Sequence, residues 1–154
     1  KIFNISLLQK RGIEAEVLIP LIRNLEKEIG KEPAQQLAKN AIKEIAEKQG
    51  KDFSSMIQRD DLDGFQSIQE TWSGAGEDIT YEIIENNKKE FNFNVTKCRF
   101  AEMYKQLGAE DLGYILSCGR DFSLSSGYSE DIQLTRTKTI MEGADFCDFR
   151  YHKD

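Results

Sequence analysis

The hydrophobic pattern first changes period at Gly74-Ala-Gly76, and that switch restricts the chain to a helical part followed by a part that contains strands. Before it, Val17, Leu18, Leu21, Ile22, Leu25 and Ile29 recur at helical spacing from Ile13 onward, with Gly30 as the stop. Pro20 removes a backbone donor and crowds the preceding turn, so this helix is expected to bend or to break into two pieces. A second helix opens on Pro33, carries Ala34, Leu37, Ala38, Ala41, Ile42, Ile45 and Ala46 on one stripe, and is expected to end at Gly50. Its alanines imply close packing on the first helix. From Asp52, read as an N-cap, Phe53, Met56, Ile57, Phe65, Ile68 and Trp72 continue a looser helical pattern that is interrupted at residues 59–64. Asp60, Asp61 and Asp63 lack the closing Glu of a calcium loop and read as a solvated acidic turn.

After the switch, Ile79, Tyr81 and Ile83 alternate with Thr80 and Glu82. Past a turn at residues 86–89, Phe91, Phe93 and Val95 alternate with Asn92, Asn94 and Thr96, which predicts a β-hairpin with one apolar face. Cys98 opens a helix with Ala101, Tyr104 and Leu107, stopped by Gly108, and residues 110–118 form a second short one carrying Leu112, Ile115 and Leu116. Residues 119–129, rich in Gly and Ser, read as a mobile loop flanking a pocket mouth. Ile132, Leu134 and Arg136 alternate with Gln133, Thr135 and Thr137, and after the Glu142-Gly143 turn residues 146–151 form a last strand. On that strand Cys147, Phe149 and Tyr151 share one face, while Asp148 and Arg150 read as an ion pair on the solvated one. N-terminal helices, then a helical pair inserted between two hairpins, predict an α+β domain with an antiparallel sheet of about four strands. At 154 residues the chain is one domain, with residues 13–72 helical and residues 78–152 containing the sheet.

A net charge of −6, with no cluster of Lys and Arg interleaved with aromatics, disfavours nucleic acid as a partner. No apolar run approaches the roughly 20 residues of a membrane span, and Lys1-Ile-Phe-Asn-Ile5 lacks the apolar core of a signal peptide, so a cytoplasmic protein is expected. The helical half is expected to supply core, and a face for a possible homodimer, but no catalytic group. Three cysteines without a Cys-x-x-Cys pair fit neither a disulfide framework nor a zinc ribbon, which leaves reduced thiols.

Cys98-Arg-Phe-Ala-Glu102, Leu107-Gly, Glu110-Asp-Leu-Gly, Cys118-x-x-Asp121, Leu134-x-Arg-Thr-Lys-Thr139 and Gly143-x-x-x-Cys147-Asp-Phe-Arg-Tyr together resemble the C-terminal signature of the L-2-amino-thiazoline-4-carboxylic acid hydrolase family. The resemblance is specific over residues 95–152, and residues 25–41 are similar in style to the family's N-terminal helices. It implies hydrolytic opening of an aminothiazoline ring to a carbamoyl-cysteine. The cysteine usage also resembles, more distantly, that of vinyl-reductase-type small-ligand-binding domains, which implies binding rather than turnover.

Attack on an amidine carbon needs a nucleophile, a proton-transfer group and an anchor for the substrate carboxylate. Cys118, Asp121 and Arg136 can fill those roles, with Cys147 beside them as a further catalytic residue and Cys98 and Thr137 on the substrate-binding side. Each has a structural alternative: a packed cysteine, a turn-forming aspartate, a surface arginine in an ion pair. A helix C-terminus raises the pKa of Cys118, whereas a helix N-terminus makes Cys98 the most acidic of the three. No cofactor is expected; the alternative places zinc on Cys98, Cys118 and Cys147, with water in the fourth position. His152, the one histidine, lies near the end of the chain and reads as a frayed terminal residue. Two functions follow: a hydrolase of a small cyclic amidine, or a non-catalytic ligand-binding or sensor domain with a cysteine-lined pocket.

Overall fold

A computed structural model describes residues 4–74 and 76–154, the side chain of Trp72 excepted; Lys1, Ile2, Phe3, Ala75 and the expected packing of Trp72 therefore lie outside the described residues. The first helix, α1 (Leu7–Ile29), starts before the apolar pattern does, because Ser6 and Gln9 close a capping box: the Ser6 hydroxyl accepts from the Gln9 N–H at 3.1 Å, and the Gln9 side chain accepts from the Ser6 N–H at 3.0 Å. α1 runs unbroken through Pro20. The carbonyl that loses its partner belongs to Glu16 and, like Pro20, lies on the exposed side, where solvent can replace the missing donor. The buried stripe of α1 is Arg11, Ala15 and Ile22, while Ile13, Val17 and Leu21 face outward.

Helix α2 (Lys31–Ile57) passes straight through Gly50 and absorbs residues 52–57, so Asp52 is an interior residue and not an N-cap. Gly50 is not a stop signal. It is the place where a later helix crosses: a Cβ there would lie 2.2 Å from the Leu124 carbonyl oxygen and 2.6 Å from the Tyr128 nitrogen, and one on Gly127 would lie 2.2 Å from the Glu47 carbonyl oxygen. The real stop is Gln58 in the left-handed region, followed by Asp61, whose carboxylate caps α3 (Leu62–Trp72) through the Gly64 N–H at 3.0 Å.

Strands β1 (Ile79–Asn86) and β2 (Glu90–Cys98) form the expected hairpin, with the Asn87 carboxamide oxygen accepting from the Lys89 and Glu90 N–H groups. Helices α4 (Arg99–Gln106) and α5 (Glu110–Gly113) follow, then a π-helical turn (Tyr114–Cys118) leading into α6 (Arg120–Tyr128). The chain ends with β3 (Ile132–Thr135), a 3-10 turn (Ile140–Glu142) and β4 (Cys147–Lys153). All pairings are antiparallel in the order β1-β2-β4-β3. The fold is thus the expected α+β domain.

The register places Phe91, Phe93 and Val95 opposite Tyr151, Phe149 and Cys147, so one face of the central strands is a continuous apolar layer. Phe93 stacks on Phe149 with centroids 4.7 Å apart, and Phe65 of α3 meets Tyr151 at 4.8 Å. Each such burial stabilises by about 1.5–3 kcal/mol. A second core, under α1 and α2, gathers Tyr104, Leu112, Ile115 and Leu116. Cys98 packs against both cores, which puts it at their junction.

Candidate functional site

Between the two cores lies a partly open cavity of about 460 Å³. Cys98, Cys118 and Cys147 all line it, with Asp121 and Arg136, so five of the six expected site residues converge. Thr137 does not: its hydroxyl and N–H both go to Asp148, whose carboxylate also takes the Lys138 N–H at 2.9 Å and so fixes the turn after β3. The expected Asp148–Arg150 pair is accordingly replaced. Arg150 donates instead to the Phe93 and Phe149 carbonyls and to the Asn94 side chain. His152 is not frayed; it belongs to β4 and bridges Glu90 at 2.6 Å and Asp154 at 2.8 Å.

Cys98 is the N-cap of α4, its sulfur accepting from the Ala101 N–H at 3.4 Å. Burial pushes this thiol up, against the hydrogen bonds from Ala101 and Phe100, so the helix N-terminus does not make it acidic. Cys147 opens β4 and accepts from the Ile140 N–H at 3.2 Å; burial pushes its thiol up to about 11.

Cys118 is not at a helix C-terminus, and residues 119–129 are not a mobile loop. The helical run continues from the π-turn into α6, with the Gly119 N–H donating to the Tyr114 carbonyl at 2.7 Å. Gly127 there serves the close crossing on α2. The consequence is that Cys118 and Asp121 both point into the cavity, one helical turn apart. Cys118 shows part of its surface and lines the cavity. Burial drives its thiol well above the ordinary value, the Asp121 carboxylate adds to the rise, and Arg136 opposes it. Burial also raises Asp121, against the Arg136 guanidinium, which makes it a more basic carboxylate than an exposed aspartate.

Arg136, one residue beyond β3, was expected to hold a substrate carboxylate, but its guanidinium is already engaged. It donates to Asp121 at 2.5 Å and to the Cys118 carbonyl at 3.1 Å, and lies 5.0 Å from the Phe122 and Phe149 ring centroids. Asp121 and its other partners hold this guanidinium charged against burial. Arg136 therefore positions Asp121 and the turn carrying Cys118.

Two residues that the sequence pattern did not single out, Arg11 and Glu14, also meet here, with Arg120, the expected cationic neighbour of Cys118. Arg11 donates to Glu14 at 2.8 Å, Arg120 approaches the same carboxylate at 3.7 Å, and both arginines line the cavity. Their signal was present in the sequence: Arg11 stands on the stripe of Ala15, Leu18 and Ile22, where an apolar residue belongs. Among the described residues no set of three or more His, Cys, Asp or Glu side chains is placed to hold a metal ion.

The thiol shifts carry a direct expectation. Iodoacetamide should modify the folded protein slowly at pH 7.5, relative to a free cysteine of pKa about 8.5, with the rate rising only above about pH 9. Quantitative alkylation of Cys118 at pH 7.5 at the free-thiol rate would contradict the burial described.

An antiparallel sheet backed by helices, with a partly open, charged cavity at the junction of two cores, defines the class of domain. Within that class the chain belongs to the L-2-amino-thiazoline-4-carboxylic acid hydrolase family, whose family model matches residues 10–151. Among solved structures, it is similar in fold to the phenol-responsive sensory domain of the transcription activator PoxR, crystallised with phenol: TM-score 0.57, 11% identity, 88% of this chain and 72% of that one covered. No curated protein matches the chain. Among the described residues no helix is long and apolar enough to cross a membrane.

Proposed function

We propose that the chain hydrolyses a small cyclic amidine of the aminothiazoline carboxylate class. The observation that supports this is the meeting of Cys118, Asp121 and Arg136 on the wall of one cavity. The cavity volume of about 460 Å³ falls in the range of ligand pockets, roughly 300–1,000 Å³. At rest the Cys118 thiol is protonated, so the reaction begins only when the substrate arrives. A cationic amidinium beside Cys118 favours the thiolate, and Asp121 accepts the thiol proton. The sulfur adds to the amidine carbon; the tetrahedral adduct then breaks one ring bond to that carbon, and the departing ring atom takes the proton. Water displaces Cys118 and leaves a carbamoyl group on the opened cysteine chain. One water is consumed, and the thiol is regenerated. Cys147 and Cys98 brace the wall through their bonds to the Ile140 and Ala101 N–H groups.

A second reading, a binding or sensor domain, is favoured by the raised thiol pKa values and by the sensory-domain fold of the solved structure above. Incubation with L-2-amino-thiazoline-4-carboxylate, followed by mass spectrometry, separates the two. Steady release of a carbamoyl-cysteine is expected; saturable binding without any product would leave the binding domain.

A further inference from the structure

The cavity carries more positive charge than its own carboxylates balance. Arg11, Arg120 and Arg136 are each more than nine-tenths buried at the side chain, and two carboxylates, Glu14 beside the cavity and Asp121 on its wall, pair with them, while the other lining carboxylate, Asp78, pairs with Arg99. Among the described residues the Asp121 carboxylate accepts its hydrogen bond from Arg136 alone, although its charge also reaches Arg11 and Arg120. Arg11 and Arg120 are left to share Glu14, which Arg11 holds at 2.8 Å while Arg120 stands off at 3.7 Å, beyond hydrogen-bond range. The one hydrogen bond of Arg120 goes through Nε to the Leu116 carbonyl at 2.6 Å, so among the described residues neither of its terminal nitrogens has a hydrogen-bond partner. Burying a guanidinium in this way is costly without an anion to accept its donors. The strain shows in Arg120 itself, whose pKa is brought down to about 10 by burial and by the neighbouring charge of Arg11. Beside the pair, the buried Tyr104 hydroxyl has no hydrogen-bond partner among the described residues, although Arg11, Glu14, Arg120 and Cys118 are near enough for their charges to act on it.

We infer that Arg11 and Arg120 form a carboxylate-binding subsite of the cavity, with the terminal nitrogens of Arg120 as its principal donors. A planar carboxylate matches the fork of a guanidinium, and one negative charge neutralises the excess. The subsite gives the cavity two poles. A carboxylate at Arg11 and Arg120 and a cation near Asp121 and Cys118 together suit a small zwitterionic ring, and orient its amidine carbon toward the thiol. The aminothiazoline carboxylate of the proposed function is such a ring, and the inference rests on that reading only for the identity of the ligand.

Two ligand pairs that differ only in charge test it by calorimetry: L-2-amino-thiazoline-4-carboxylate with its 4-carboxamide, and benzoate with benzamide. The wild-type protein should prefer the acid in at least one pair by roughly 10- to 100-fold, the ratio expected of a charged hydrogen bond. In Arg120→Gln that preference should collapse to about twofold while the amide's affinity stays within a factor of about three. Arg120→Lys, which keeps the charge, should retain part of it. Preference for benzoate alone supports the subsite and counts against the aminothiazoline substrate. Equal affinity of the wild-type protein for acid and amide in both pairs, or no binding by any of the four, overturns the subsite; neither outcome needs a variant to fold.

Discussion

Replacing Cys118 by Ser is expected to abolish ring opening, lowering kcat by about 10³-fold or more, while the dissociation constant for the substrate changes by less than about threefold. The substitution exchanges sulfur for oxygen at a position that lines the cavity, so shape and hydrogen bonding are preserved and only nucleophilicity is removed. Cys98→Ser and Cys147→Ser serve as comparisons, because those sulfurs accept backbone hydrogen bonds and a hydroxyl can do the same. Both should keep turnover within about tenfold of wild type. Single-turnover kinetics with binding measured separately distinguishes the cases. Unchanged kcat in Cys118→Ser, or an equal loss in all three variants, would remove Cys118 from the role of nucleophile.

The largest effect on stability is expected where α6 crosses α2. Ala at Gly50 or Gly127 would put a methyl group 2.2 Å from a backbone carbonyl oxygen, and backbone cannot rotate away as a side chain can. The helices must separate, at a cost of about 3 kcal/mol, which for a chain of this size lowers Tm by roughly 10 °C. Activity should fall as well, since α6 carries Arg120 and Asp121. Gly12→Ala is the control: its methyl would meet only the flexible end of Met103 at 3.3 Å, and Ala is the better helix former by about 1 kcal/mol. Denaturant unfolding of the three variants checks this. A loss below about 1 kcal/mol at both Gly50 and Gly127 would mean that the crossing is looser than described.

The period switch at Gly74 and Gly76, the β1–β2 hairpin and the apolar face of β4 were legible because each depends on local alternation. The glycines misled. Gly50, Gly119 and Gly127 look like stops and loop residues in one dimension, whereas two of them mark a helix crossing between segments far apart in sequence. That misreading removed α6 and made Cys118 seem to lie at a helix end. Pro20 misled for the opposite reason, since its local penalty is small when the orphaned carbonyl faces solvent. The cysteines, Asp121 and Arg136 were found by their motif, but the partner of Arg136 was not, because a pair 15 residues apart has no local signature. Arg11 was missed by starting the first helix at Ile13, past the capping box that begins it.

The most direct measurement is a crystal structure of Cys118→Ser with L-2-amino-thiazoline-4-carboxylate bound. The ligand should occupy the cavity with its amidine carbon about 3–3.5 Å from the introduced hydroxyl and its carboxylate on Arg11 and Arg120. A second depression, of about 760 Å³ and lined by Lys39, Lys105, Glu110 and Asp145, lies on the other side of Cys98. Ligand seated there, or seated in the cavity with its ring turned away from residue 118, would contradict the account.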